Sequence, residues 1–318
     1  IAIGAARPAY VKVYEYQEES NSWSLVGHKI KTTDYIPALI FFGASLAINE
    51  RGNIIAVSAS SGGWAGGGGV QILELSNNLW ELKGNVINSE SSEDRGGNVE
   101  ISSDGLVVII GTPTHEAPAP TGYANGNNSG LVRVFEYNNT ENKWMRRGSN
   151  FVGNPGEKLG YSMSLSKDGN VIAIGEPYYG VNTYAEGSTG WGRGRVYYWD
   201  GDDWLLRGNG DEFLATLYDD PYNDEYSSYL GSSISLNKDG SILVIGAPYL
   251  HGTGWRDEIW ANFKIYIWEN ETWNFIQKIS IRSTLDYGHS LLMNSHGNKF
   301  IISETSSGNG QIQIYESV

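Results

Sequence analysis

The stretch Gly160-Tyr-Ser-Met-Ser-Leu-Ser-Lys-Asp-Gly-Asn-Val-Ile-Ala-Ile-Gly-Glu-Pro177 leaves a chain few ways to fold. Residues 161–165 alternate small or polar with apolar side chains, the period of a strand with two different faces. Lys167-Asp168-Gly169-Asn170 reads as a tight turn in which Gly169 takes the positive φ. Val171 to Ile174 is a continuous apolar run, as in a strand buried on both faces, and Gly175 with Pro177 stops it. The same hairpin begins at Gly43, Gly96, Gly160, Gly231 and Gly288, and in each copy the turn glycine follows nine residues later, at Gly52, Gly105, Gly169, Gly240 and Gly297. Six residues beyond stands a small residue, Ser58, Gly111, Gly175, Gly246 or Ser303. Fixed spacing inside the motif with variable spacing between motifs is a structural repeat with variable loops.

Each copy continues into a third strand: Val11–Glu15, Val70–Glu74, Val132–Glu136, Val196–Trp199, Lys264–Trp268 and Gln311–Tyr315. A polar turn and a Trp follow (Trp23, Trp80, Trp144, Trp204, Trp273), and four residues later a glycine (Gly27, Gly84, Gly148, Gly208), with Gln277 the one departure. One unit is therefore four antiparallel strands in meander order, A to D, and such units repeated along a chain predict an all-β fold, a β-propeller with strand A innermost. The fixed Trp-to-Gly distance predicts that Trp144 and Trp204 fill the spaces between blades. Parts of six blades are visible within a single domain spanning 1–318: a partial repeat at 1–42, repeats beginning at 43, 96, 160 and 231, and a partial repeat at 288–318. The first lacks strand A and the last strand D, so flanking sequence is expected; six or seven blades fit the spacing, and the incomplete ends favour seven. Ile1-Ala-Ile-Gly4 matches Ile172-Ala-Ile-Gly175, so residue 1 falls inside a B strand and is not expected to be the natural start of translation.

Composition narrows the classes. The net charge of −14 disfavours nucleic acid and anionic membrane as partners. Zero Cys excludes disulfides, thiolate metal sites and Cys nucleophiles. The most apolar stretch, Tyr35 to Ile48, is interrupted by Pro37 and Gly43, so no membrane insertion is expected.

Phe42-Gly43, the Gly-x-Ser of the A strands and Gly246-Ala-Pro248 together resemble the FG-GAP repeat of integrin-alpha-like β-propellers, through repetition over essentially the whole chain. Calcium-binding members carry Asp-x-Asp-x-Asp-Gly between A and B. Here that turn reads Asn49-Glu-Arg-Gly52, Ser103-Asp-Gly105, Ser166-Lys-Asp-Gly169, Asn237-Lys-Asp-Gly240 or Ser295-His-Gly297. One carboxylate at most cannot replace the six to eight oxygens around a calcium ion, so no metal and no cofactor are expected.

The repeated Ser45, Ser162, Ser233 and Ser290, with Asn98 at the matching position, lack the closing glycine of a nucleophile elbow and read as packing of a crowded inner strand. The five histidines, at 28, 115, 251, 289 and 296, show no metal-ligand spacing. The A–B and C–D turns are short. The B–C loops are long, and the longest D–A connection runs from Asn209 to Leu230. In a meander both long sets leave on one face, and long loops on a rigid scaffold commonly carry function. That face holds the candidate binding residues Trp64, Trp191, Trp255, Trp260, Tyr178, Tyr179 and Tyr249, and the acidic loop residues Asp219, Asp220 and Asp224. Such rings suit sugar stacking or protein contact, and equally suit pinning their own loops. Sequons at Asn127, Asn138 and Asn270 fall in loops or turns, as glycosylation would require.

The expectation is a non-enzymatic binding or structural module, extracellular or on a cell or particle surface, that meets a protein or glycan ligand or further copies of itself. Two alternatives stand beside it: a carbohydrate-active propeller enzyme, which needs converging carboxylates in an axial pocket, and a purely architectural subunit of a filament or coat.

Overall fold

The structure is a computed structural model that describes residues 1–7, 9–31, 41–59, 67–91, 94, 97–117, 128–180, 192–209, 213, 229–247, 259–283, 287–304 and 311–316. Among them there are strands and no helix. Blade 1 is β1 (Ala2–Ala5), β2 (Tyr10–Gln17) and β3 (Ser22–Lys31). Blade 2 is β4 (Leu46–Ile48), β5 (Ile54–Ala59), β6 (Gly69–Ser76) and β7 (Leu79–Leu82), with β8 (Ile87–Asn88) returning onto β6. Blade 3 is β9 (Asn98–Ile101), β10 (Val107–Thr112), β11 (Leu131–Asn138) and β12 (Lys143–Arg146), with β13 (Phe151–Val152) on β11. Blade 4 is β14 (Ser162–Leu165), β15 (Val171–Glu176), β16 (Arg193–Trp199) and β17 (Trp204–Leu206). Blade 5 is β18 (Ser233–Leu236), β19 (Ile242–Ala247), β20 (Ile259–Glu269) and β21 (Thr272–Ser283), and blade 6 is β22 (Tyr287–Met293), β23 (Lys299–Glu304) and β24 (Gln311–Glu316).

Within each blade the A to D strands pair antiparallel and in sequence order, the meander that the repeat predicts, and β8 and β13 fold back onto the C strands β6 and β11. The A strands β4, β9, β14, β18 and β22 pack against one another around the axis, so strand A is innermost. The B strand is apolar throughout because it has a blade on each side: Ile172 and Ile174 join the cluster shared with blade 3, while Val171 and Ala173 join the one shared with blade 5. Each space between neighbouring blades holds one such apolar cluster.

The repeated Trp locks each blade to the one before it. Trp80, Trp144, Trp204 and Trp273 are 1%, 4%, 7% and 5% exposed, which bears out their inter-blade placement. Each donates its indole N–H to a carbonyl on the D strand of the preceding blade or on the residue just after it: Val26 (3.0 Å), Lys83 (2.8 Å), Arg147 (2.9 Å) and Arg207 (2.9 Å). The residue after each acceptor is the motif glycine, and a Cβ on Gly27, Gly84 or Gly148 would stand 2.8, 3.2 or 2.7 Å from the incoming indole. The glycine of one blade is thus the socket for the Trp of the next. Arg147 and Arg207 also lie over the aromatic pairs of the next blade, 4.6 Å from Trp199 and 4.8 Å from Trp268, adding cation–π attraction between blades. Trp23, at the same position in blade 1, is 52% exposed, and the outer face of blade 6 exposes Leu292, Ile301, Ile312 and Ile314.

The A–B turns close the short-turn end. Asn49, Ser102, Ser166, Asn237 and Asn294 each accept two backbone N–H groups from the far side of their own turn. The turns are then chained blade to blade by backbone bonds from Glu50 to Ser103, Ser103 to Lys167, Lys167 to Lys238 and Lys238 to Ser295. Glu50 pairs with Lys167 and Ser103, and those hydrogen bonds, Lys167 first, hold its carboxyl below the usual range.

Candidate binding site

The five A strands bring the Gly-x-Ser positions together at the axis. Ser45, Asn98, Ser162, Ser233 and Ser290 line one cavity of about 570 Å³, which extends past Tyr161, Ser232 and Pro113 at the end from which the long loops leave. The serines also pack, as expected. Adjacent A strands share no ladder, so side chains stitch them: Ser45 Oγ accepts from Val99 N (3.1 Å), Asn98 Nδ2 donates to Tyr161 O (2.7 Å), and Ser162 Oγ donates to Gly231 O (2.7 Å). Two residues further along, Ser164 and Ser235 accept from Leu236 N (2.9 Å) and Met293 N (3.0 Å). The hydroxyl of Ser162 lies so close over Gly175 that a Cβ there would meet it at 2.3 Å, which explains the small residue ending the B strand.

At the position of Ser164 and Ser235, blade 3 carries Glu100. It is the only carboxylate lining the cavity among the described residues. Its side chain is exposed to the cavity, and the surrounding A strands, which strip it of part of its water, push the carboxyl up to about 7. Glycoside hydrolysis places two carboxyl groups about 5–10 Å apart. The described lining has one.

Two other polar clusters lie toward the loop end. Glu176, fully buried, takes Arg193 on one oxygen (Nη2 2.7 Å, Nε 3.0 Å) and Arg195 on the other (Nε 2.6 Å), and Arg193 stacks 3.6 Å over the Tyr179 ring. Asp94, also buried, holds His115 Nδ1 at 3.0 Å and accepts from Ser91 N at 3.1 Å. Both clusters are satisfied within the protein and brace loop ends.

Of the residues singled out in the sequence, Tyr178 and Tyr179 are partly buried and engaged. Tyr178 meets Tyr229 edge-on at 5.1 Å and carries the Lys158 ammonium at 4.0 Å. Asn138 ends β11 and caps its own turn through Thr140 N and Glu141 N, and Asn270 sits exposed in the β20–β21 turn. Trp64, Trp191, Trp255, Tyr249, Asp219, Asp220, Asp224 and Asn127 lie outside the described residues, as does the Trp260 side chain. Glu100 and Glu176 escaped sequence reading, although aligning the repeats marks Glu100 as the one carboxylate at its position. The sister positions of Glu100 are Ala47, Ser164, Ser235 and Leu292, and those of Glu176 are Ala59, Thr112, Ala247 and Glu304.

No family model and no curated protein matches the chain. Among solved structures it resembles Kuenenia stuttgartiensis hydrazine synthase, with a TM-score of 0.52 and 14% identity over 98% of this chain and 82% of that one. It also matches TolB from Acinetobacter baumannii (TM-score 0.49, 11% identity, 99% of this chain and 60% of that one) and the Dos1 propeller (0.46, 14%, 97% and 73%). At these identities the likeness concerns the fold alone. Fold and cavity together define the class: a β-propeller whose inner strands frame an axial cavity.

Proposed function

We propose that the chain is a non-enzymatic binding module, of the FG-GAP-like kind that its motifs resemble, outside the cell or on a cell or particle surface. It presents its long-loop face to a protein or glycan partner. The observation that supports this reading is the axial cavity itself, whose described lining carries a single carboxylate, Glu100, where glycan hydrolysis uses two. The acidic net charge of −14 argues against nucleic acid as the partner. A glycan array and a pull-down from the native source test it. Single replacement of Trp64, Trp191 or Trp255 by Ala is expected to weaken capture by about 2 kcal/mol at a hot spot and to leave thermal stability unchanged. Lost stability with intact capture would mean that these rings only pin their own loops and would overturn the assignment. Turnover of a glycan by the purified chain would do the same.

A further inference from the structure

We propose that the axial cavity is a binding site for a protonated primary amine, with Glu100 as its counter-ion. This site is independent of the loop-face ligand, since it stands on the inner strands alone.

The buried carboxylates among the described residues have partners: Glu176 has Arg193 and Arg195, Asp94 has His115, and Glu157 has Asn154, whereas Glu100 stands open to the cavity. Glu100 has no ion pair and no hydrogen bond with any described residue, and desolvation alone acts on its carboxyl. Its equivalents Ser164 and Ser235 stitch neighbouring A strands, whereas Glu100 takes no such bond. The substitution therefore removes a structural contact and leaves a charge facing the cavity.

The surroundings suit an ammonium group. An ammonium carries three donors and no acceptor, so it needs several oxygen lone pairs around one negative charge. Ser45, Ser162 and Ser290 supply hydroxyl oxygens on the same wall, and Ser233 Oγ, buried behind it, has no hydrogen-bond partner among the described residues. No Lys, Arg or His lines the described cavity to compete for the carboxylate. Tyr161, 40% exposed, offers an apolar ring on the lining for a carbon chain. The volume of about 570 Å³ lies within the range of small-ligand sites. A divalent metal fits worse, because one carboxylate falls far short of its oxygen shell. A neutral ligand fits worse too, because it would displace water from the carboxylate without compensating its charge, whereas a cation would bring the raised carboxyl back down.

The test is calorimetric titration of the whole chain at pH 8.5 with hexylammonium chloride and with 1-hexanol, a neutral probe of the same shape. The amine is expected to bind at least tenfold more tightly than the alcohol. Glu100→Gln is expected to erase that preference while leaving the alcohol unchanged. Backbone amide shifts on amine addition should concentrate at residues 45, 100, 162 and 233. Circular dichroism establishes that the variant is folded, and Ser233→Ala, which removes only the free acceptor, is a second probe expected to weaken the amine severalfold. Equal affinity for the two probes, no amine binding, or an amine preference that survives in Glu100→Gln would each overturn the proposal.

Discussion

Replacing Trp144 and Trp23 by Ala tests the inter-blade lock within a single motif. Trp144 is 4% exposed, donates to Lys83 O at 2.8 Å and packs 5.2 Å from Tyr137. A buried Trp hides about 200 Å². At about 25 cal/mol per Å² that is about 5 kcal/mol of transfer free energy, against which partial collapse of the cavity recovers some. The abandoned Lys83 carbonyl adds about 1 kcal/mol unless water reaches it. Trp144→Ala should therefore cost about 4 kcal/mol, and Trp144→Phe, which keeps a ring and loses the N–H, about 1–2 kcal/mol. Trp23 makes the same ring contact within its own blade, 5.3 Å from Tyr16, but is 52% exposed and has no acceptor blade among the described residues. Trp23→Ala should cost about 0.5 kcal/mol, the scale of a surface change. Urea denaturation followed by far-ultraviolet circular dichroism reads the shift in midpoint at constant slope. If Trp23→Ala costs as much as Trp144→Ala, or if Trp144→Ala costs under about 1 kcal/mol, the socket argument fails.

Three further outcomes are expected. Gly148→Ala should cost about 3 kcal/mol, since a left-handed backbone and a clash with Trp204 combine, whereas Gly52→Ala, left-handed but in open space, should cost about 1 kcal/mol; equal losses in thermal unfolding would refute the socket. Glu176→Gln strands two largely buried guanidinium groups and should cost about 3 kcal/mol in urea, and an unchanged midpoint would show that Arg193 and Arg195 are already solvated. Glu100 is raised from 4.5 to about 7, so between those pH values the fold binds more protons than the unfolded chain and loses stability as pH rises. The full shift corresponds to about 3.4 kcal/mol, and contact with cavity water reduces it to about 1–2 kcal/mol. Glu100→Gln should thus be more stable than the parent at pH 8 and equal to it at pH 4, and identical melting differences at both would refute this.

The fold was legible because every constraint that sets it is local. The nine-residue step from A-strand glycine to turn glycine is the length of one strand and its turn. The unbroken Val171–Ile174 run reports a blade on both sides, and the Trp-to-Gly step reports the socket. Only the direction of that last contact was hidden. Sequence spacing ties Trp144 to Gly148, but Trp144 fills the socket at Gly84 while Gly148 receives Trp204. Spacing within a motif cannot say which copy meets which.

The site was less legible, for a reason of the same kind. In a propeller the functional residues meet at the axis from every blade, so Ser45, Glu100, Ser162 and Ser233 share a cavity although 188 positions separate the first from the last. No window along the chain contains them. The repeat itself supplies the missing signal once its copies are set against one another, because positions with the same structural duty should hold the same kind of residue. Most do: the capping Asn or Ser of the A–B turn recurs in all five copies, and each caps. Glu176 departs from Ala59, Thr112 and Ala247 at its position, a departure shared with Glu304, and its charge is answered at once by Arg193 and Arg195 of the neighbouring strand. Glu100 breaks the pattern of Ser164 and Ser235 and is answered by nothing in the described protein. A charge answered by a neighbour is accounted for by the fold. A charge left unanswered against a ring of hydroxyls calls for a partner from outside it.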